Sequence, residues 1–191
     1  MIASVLALAL AATTPFSATE IRTIEVGPSY GCDAWFTLAC THLPWEARLT
    51  QSAPADFSLF ELTDKSGNEI LRVYVGSAPS KVTGTHAFER NTRRQTLRAF
   101  AKPEGNAIRV DIVISENKPY PLTVHVLGNI NHDNAFVFAR FVSGLRPCEY
   151  GRSSIDCTRS PEWERSLTQF VLEAAAGLPA ADDHQTRSSG T

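Results

Sequence analysis

Between Asp56 and Leu127 apolar side chains recur at every second position rather than every third or fourth, and that alternation commits the middle of the chain to β-strands. Phe57 to Leu62 forms one such run, Asp64-Lys65-Ser66-Gly67-Asn68 supplies a turn, and Leu71, Val73 and Val75 then share one face of a second run. Thr96 to Ala101 is followed by the turn Pro103-Glu104-Gly105-Asn106 and by Ile108, Val110, Ile112 and Ile114 in alternation with Arg109, Asp111 and Val113. After Asn117-Lys118-Pro119, Leu122, Val124 and Val126 fall on one side and Thr123 and His125 on the other. Connections this short favour antiparallel pairing, because a parallel return needs a long crossover.

Helical periodicity takes over beyond this region. Phe138, Phe141, Val142 and Leu145 recur at helical spacing behind Asn131 and Asp133 as potential caps, with Pro147 beyond them. The second helix carries stronger signals. Ser160 suits the N-cap, Pro161 the first turn, and Glu162 and Glu164 the positive pole of the helix; Trp163, Leu167, Phe170, Val171 and Ala174 make one stripe, and Gly177 ends it. The expected fold is therefore α+β: a twisted antiparallel sheet of about five to six strands with two helices packed on one face. Helices on one face leave the other partly wet, which accounts for Arg72, Arg109 and His125 at positions alternating with the core residues.

The first eighteen residues hold no charged side chain and include an apolar run from Val5 to Ala12. This reads as a signal peptide over 1–18, and the run is far short of the roughly 20 apolar residues that span a bilayer. Residues 19–179 make a single α+β domain long enough to bury its own core, and 180–191, AADDHQTRSSGT, lacks apolar periodicity and reads as a disordered tail. An exported, periplasmic or extracellular location agrees with the four cysteines, which form two local pairs, Cys32 with Cys40 and Cys148 with Cys157. Each pair closes a short loop and contributes about 2.5 kcal/mol by restricting the unfolded chain. Neither spacing matches the Cys-x-x-Cys knuckle of zinc sites, so no metal and no other cofactor is expected.

Catalytic signatures are missing. The chain has no Gly-x-Ser-x-Gly elbow, no His-Glu-x-x-His and no phosphate-binding glycine loop. His125, His132 and Asp133 lie close in sequence and offer the only acid/base grouping, for which a cell-wall or carbohydrate hydrolase is the corresponding activity. A carrier for a small apolar ligand is a further alternative. Two features point instead to binding. The stretch GCDAWFTLACTHLPW concentrates aromatics around a stapled loop. Most of them must be buried, since each exposed one forgoes roughly 1.5–3 kcal/mol, and in an extended segment Trp35 faces away from Phe36 and Leu38. The second feature is the run from Lys81 to Lys102, where six cations, among them Arg90, Arg93, Arg94 and Arg98, oppose only Glu89 in a chain of net charge -2. The reading is a small non-enzymatic protein, of the inhibitor or immunity type, that presents Trp35 and these arginines to another envelope or extracellular protein, with no nucleic acid and no membrane insertion.

Overall fold

The computed structural model describes residues 19–20, 31–53, 56–150 and 155–179. The expected signal peptide and the expected tail lie outside the described residues. In chain order the elements are β1 (Thr19–Glu20), β2 (Ala34–Trp35), β3 (Ala39–Thr41), β4 (Ala47–Ser52), β5 (Ser58–Asp64), β6 (Glu69–Gly76), β7 (Thr85–Asn91), β8 (Gln95–Glu104), β9 (Ala107–Glu116), β10 (Thr123–Ile130), α1 (Ala135–Ser143), β11 (Arg146–Pro147), β12 (Glu149–Tyr150), β13 (Ile155–Asp156) and α2 (Pro161–Ala176). The chain is α+β, as its alternation requires, with a larger sheet than the five to six strands expected. Eight antiparallel strands run in the order β1-β4-β5-β6-β10-β9-β8-β7. Two meanders, β4-β5-β6 and β7-β8-β9-β10, meet where β10 pairs with β6, so the first strand of the second meander lies at the sheet's edge and the last in its middle.

One face of this sheet is the core. Leu71 and Val73 of β6, Val110, Ile112 and Ile114 of β9, Val124 and Val126 of β10, and Leu97 and Ala99 of β8 are all fully buried, because α1 and α2 lie across them. Phe138, Phe141 and Val142 project from α1, and Trp163, Leu167, Phe170, Val171 and Ala174 from α2. The α2 boundaries follow the local chemistry: Ser160 Oγ accepts from the Trp163 amide, Pro161 opens the first turn and Gly177 caps the carboxyl end. At α1 the N-cap is Asn134, whose side chain makes no cap bond to the helix. Asn131 instead folds the approach, its Oδ1 accepting from the amides of Asp133 and Asn134.

Contact between α1 and the sheet is close enough to require glycine. A Cβ on Gly128 would lie 2.7 Å from the Ile70 carbonyl oxygen and 2.9 Å from Phe138 Cε2. Leu127 to Ile130 is the end of β10, and its glycine is where the helix presses on the strand.

The cysteines build a lobe beside the sheet. Both disulfides are formed, Cys32–Cys40 and Cys148–Cys157, as an oxidising compartment allows. They pack on one another with Trp35 and Ile155 against them. Strands β2, β3 and β11 form a three-stranded sheet in this lobe, and β12 pairs with β13. Among the described residues no helix is long and apolar enough to cross a membrane.

Gly128→Ala should lower the unfolding free energy by about 1–3 kcal/mol, the usual cost of overpacking a filled core. Urea denaturation checks this, and combining it with Phe138→Leu should recover part of the loss, because the two changes act on one contact.

Candidate functional site

Two polar constellations stand out, one sealed and one open. The sealed one lies on the sheet face opposite the helices. Asp111 of β9 and His125 of β10 have no solvent exposure, against the expectation that His125 stands on a wet face. Cross-strand neighbours supply the cover: His125 pairs in register with Tyr74 on one side and Val113 on the other, and Asp111 with Leu127 and Phe100. His125 Nε2 lies 2.8 Å from Asp111 Oδ1, and Arg109 Nε donates to Asp111 Oδ2 at 3.1 Å. A carboxylate only accepts, so Nε2 carries the hydrogen. Burial pushes the Asp111 carboxyl up, but the hydrogen bonds from His125 and Arg109, with their charges, outweigh it and hold the group below its ordinary value. Asp111 in turn raises the Arg109 guanidinium above its own. His125 Nδ1 has no hydrogen-bond partner.

His132 belongs elsewhere. It is exposed, and its Nε2 lies 2.8 Å from the Pro179 carbonyl oxygen beyond the end of α2. Asp133 is in the turn that precedes α1. The fold therefore ties His125 to Asp111, fourteen residues away on the neighbouring strand, and brings neither His132 nor Asp133 into bonding contact with it.

The open constellation is a cleft of about 250 Å³ where the cystine lobe meets the end of α1 and the start of α2. His42, Arg140, Arg146, Arg159, Ser160 and Glu164 are among its lining residues. Asp33, inside the Cys32–Cys40 loop, accepts at Oδ2 from the Leu43 amide at 3.1 Å and lies 3.2 Å from His42 Nδ1. Arg146 Nη2 is 3.0 Å from His42 Nε2. A guanidinium only donates, so Nε2 accepts, Nδ1 carries the hydrogen, and Asp33 receives it. The chain Asp33–His42–Arg146 thus orients one guanidinium without neutralising it directly. Arg159 is committed to Glu164, reaching both carboxylate oxygens at 2.8 and 2.7 Å. Arg140 lies over the Phe136 ring at 5.6 Å. Among the described residues, Arg140 and Arg146 form no ion pair with a carboxylate.

Buried hydrogen bonds seat the cystine lobe against the sheet and α1. Gln95 at the start of β8 donates from Nε2 to the carbonyls of Leu38, 3.2 Å away, and Cys148, 2.6 Å away. The Cys148 amide donates to the same Leu38 carbonyl at 2.8 Å. Thr41 Oγ1 donates to the Phe141 carbonyl at 2.8 Å, satisfying one of the acceptors that the last turn of α1 leaves open. Gly144 permits that approach, since a Cβ there would fall 2.7 Å from Thr41 Oγ1.

The residues singled out by sequence are distributed over several surfaces. Trp35 is partly buried against the cystines, while Phe36 and Leu38 are core. The exposed tryptophan is Trp45, 71% accessible, with Lys65 over its ring. Arg90 reaches back to α2, donating to Ser166 Oγ at 2.9 Å and lying 3.3 Å from Glu162. Arg94 is 3.9 Å from Glu149, Arg93 is exposed, and Arg98 is half-buried in the same cross-strand row as His125 and Val113. Asp33, His42, Arg140 and Arg146 were not among the expected site residues; a histidine two residues beyond a disulfide is the one signal that singles any of them out.

Asp111→Asn should lower stability at neutral pH and flatten the acid limb of the stability curve. A depressed carboxyl stabilises fully above its unfolded value, about 3.9, and that contribution disappears as pH falls through the lower folded value. Wild type and variant should therefore converge in the most acidic buffers of a pH series of urea melts. Gln95→Ala should cost about 1–3 kcal/mol by taking the side-chain donor from the buried Cys148 carbonyl and one of two donors from that of Leu38, measured in the same way with both disulfides intact. No protein-family model matches the chain, and no curated protein and no solved structure matches it either, so function rests on this geometry.

Proposed function

We propose that this is a small exported, non-enzymatic binding protein whose recognition site is the cleft between the cystine lobe and the helix ends. Its partner is another envelope or extracellular protein that inserts a carboxylate-bearing surface there. One observation carries the reading: Arg146 is oriented by His42 and Asp33 yet forms no ion pair with a carboxylate among the described residues, and Arg140, which forms none there either, lines the same cleft. Fixing a guanidinium beforehand removes part of the ordering cost that a flexible arginine meets on binding, and its planar fork suits a carboxylate taken by two bonds. Both disulfides support the same reading, because Asp33 sits within one cystine loop and Arg159 follows the other closely in sequence. Export agrees with their oxidised state. An inhibitor or immunity role fits a site that holds its partner and has no reacting group aligned with it.

Titration of the protein with a glutamate-rich peptide, followed by calorimetry, should give binding that weakens steeply with added salt. Arg146→Ala combined with Arg140→Ala should weaken it at least tenfold, about 1.4 kcal/mol, with little change in thermal midpoint. Arg93→Ala, on a different surface, should leave it unaltered. Equal affinity of the double variant and the wild type would remove the cleft from the interaction.

A further inference from the structure

The two disulfides, local in sequence, share one place in the fold. The Sγ atoms of Cys40, Cys148 and Cys157 all lie within 4.8 Å of one another, and Cys32 is bonded to Cys40, so four sulfurs gather in one buried cluster. Tetrahedral zinc thiolate sites, with metal–sulfur distances of about 2.3 Å, set their sulfurs about 3.8 Å apart. Three of the four sulfurs are thus already gathered within 4.8 Å of one another. Cys32, bonded to Cys40 but outside that group of three, is the sulfur that has to move to complete the set.

The frame that places the sulfurs does not consist of the disulfides alone. Cys40 is held in β3 by pairing with Trp35 on one side and Arg146 on the other. Cys148 donates its amide to Leu38, and Gln95 bridges the Leu38 and Cys148 carbonyls. None of these hydrogen bonds is made by a sulfur, so opening an S–S bond removes none of them directly. Arg146, across the ladder from Cys40, brings a positive charge beside a site that would become anionic.

We propose that on reduction of both disulfides the chain binds one thiophilic cation, Zn²⁺ or its spectroscopic surrogate Co²⁺, through Cys32, Cys40, Cys148 and Cys157. Each disulfide takes two electrons and two protons from a dithiol, which is itself oxidised to a disulfide. The four thiols then lose their protons as the cation binds. The site is independent of the anion-binding reading and survives its failure.

The test uses the full chain, reduced anaerobically with a phosphine that is then removed, and titrated with Co²⁺. The expected result is the visible d–d absorption of tetrahedral thiolate coordination with a near-ultraviolet charge-transfer band, saturating at one cobalt per chain and displaced by Zn²⁺. Circular dichroism follows the fold in parallel. If reduction unfolds the chain, the metal should refold it, since binding and folding free energies are then linked. Cys40→Ser combined with Cys148→Ser, taking one sulfur from each pair, should abolish the thiolate spectrum. An octahedral cobalt spectrum, two cobalt ions per chain, failure of the metal to refold an unfolded reduced chain, or a double variant that retains the tetrahedral spectrum would each overturn the proposal.

Discussion

Burial of one sheet face beneath two short helices sets the plan of this molecule. The face offered by Leu71, Val73, Val110, Ile112, Val124 and Val126 is continuous across three central strands, and α1 and α2 close it with Phe138, Phe141, Trp163 and Phe170. Such burial is worth far more than any polar contact in the chain, so it decides where the helices lie. The helix ends then become the places where backbone groups need partners. Thr41 answers one of them at α1, and Ser160 another at α2. The cystine lobe is seated by those needs, and the cleft is the space left between the lobe and the two helix ends.

The two polar constellations illustrate opposite uses of charge. Asp111 makes its interactions inside the sheet, where the low local polarity strengthens each hydrogen bond while penalising any loss. That arrangement fits a structural role: the carboxylate is used up by His125 and Arg109, although His125 Nδ1 is left without a hydrogen-bond partner. In the cleft the order is reversed. Asp33 spends its charge on orienting His42, His42 holds Arg146, and among the described residues no carboxylate pairs with the positive charge at the end of the relay. The first arrangement holds two strands together, and the second prepares a surface.

How much of this was legible in the sequence depends on the range of the interaction. Helix α2 could be read almost to the residue, because its cap, first-turn proline, acidic residues and apolar stripe all lie within one segment. Strands β4 and β7 escaped the pattern for a physical reason. Ala-Arg-Leu-Thr-Gln-Ser has one buried apolar residue, and Thr85–Asn91 is largely exposed, with Phe88 the apolar residue turned to α2 beside Arg90. Both are held by ladder hydrogen bonds, which leave no trace in hydropathy. The Asp111–His125 pair was within reach: hinging β9 and β10 at the turn after Glu116 sets His125 opposite Val113 and diagonal to Asp111. Its burial was not, since that depends on Tyr74 and its neighbours in strands set by longer connections.

The cleft and the sulfur cluster were illegible for a stronger reason. His42 and Arg146 are separated by 104 positions, and the cysteine pairs by a similar stretch that includes most of the large sheet. Spacing rules apply to ligands on one turn or one hairpin, and here they dismissed a metal by treating each pair alone. Tertiary structure changes the unit of argument from two pairs to four sulfurs. It also links that cluster to the cleft, because Arg146 pairs with Cys40 in the ladder while its side chain meets His42. Any rearrangement of the sulfurs that shifts β3 against β11 must therefore shift the oriented guanidinium as well.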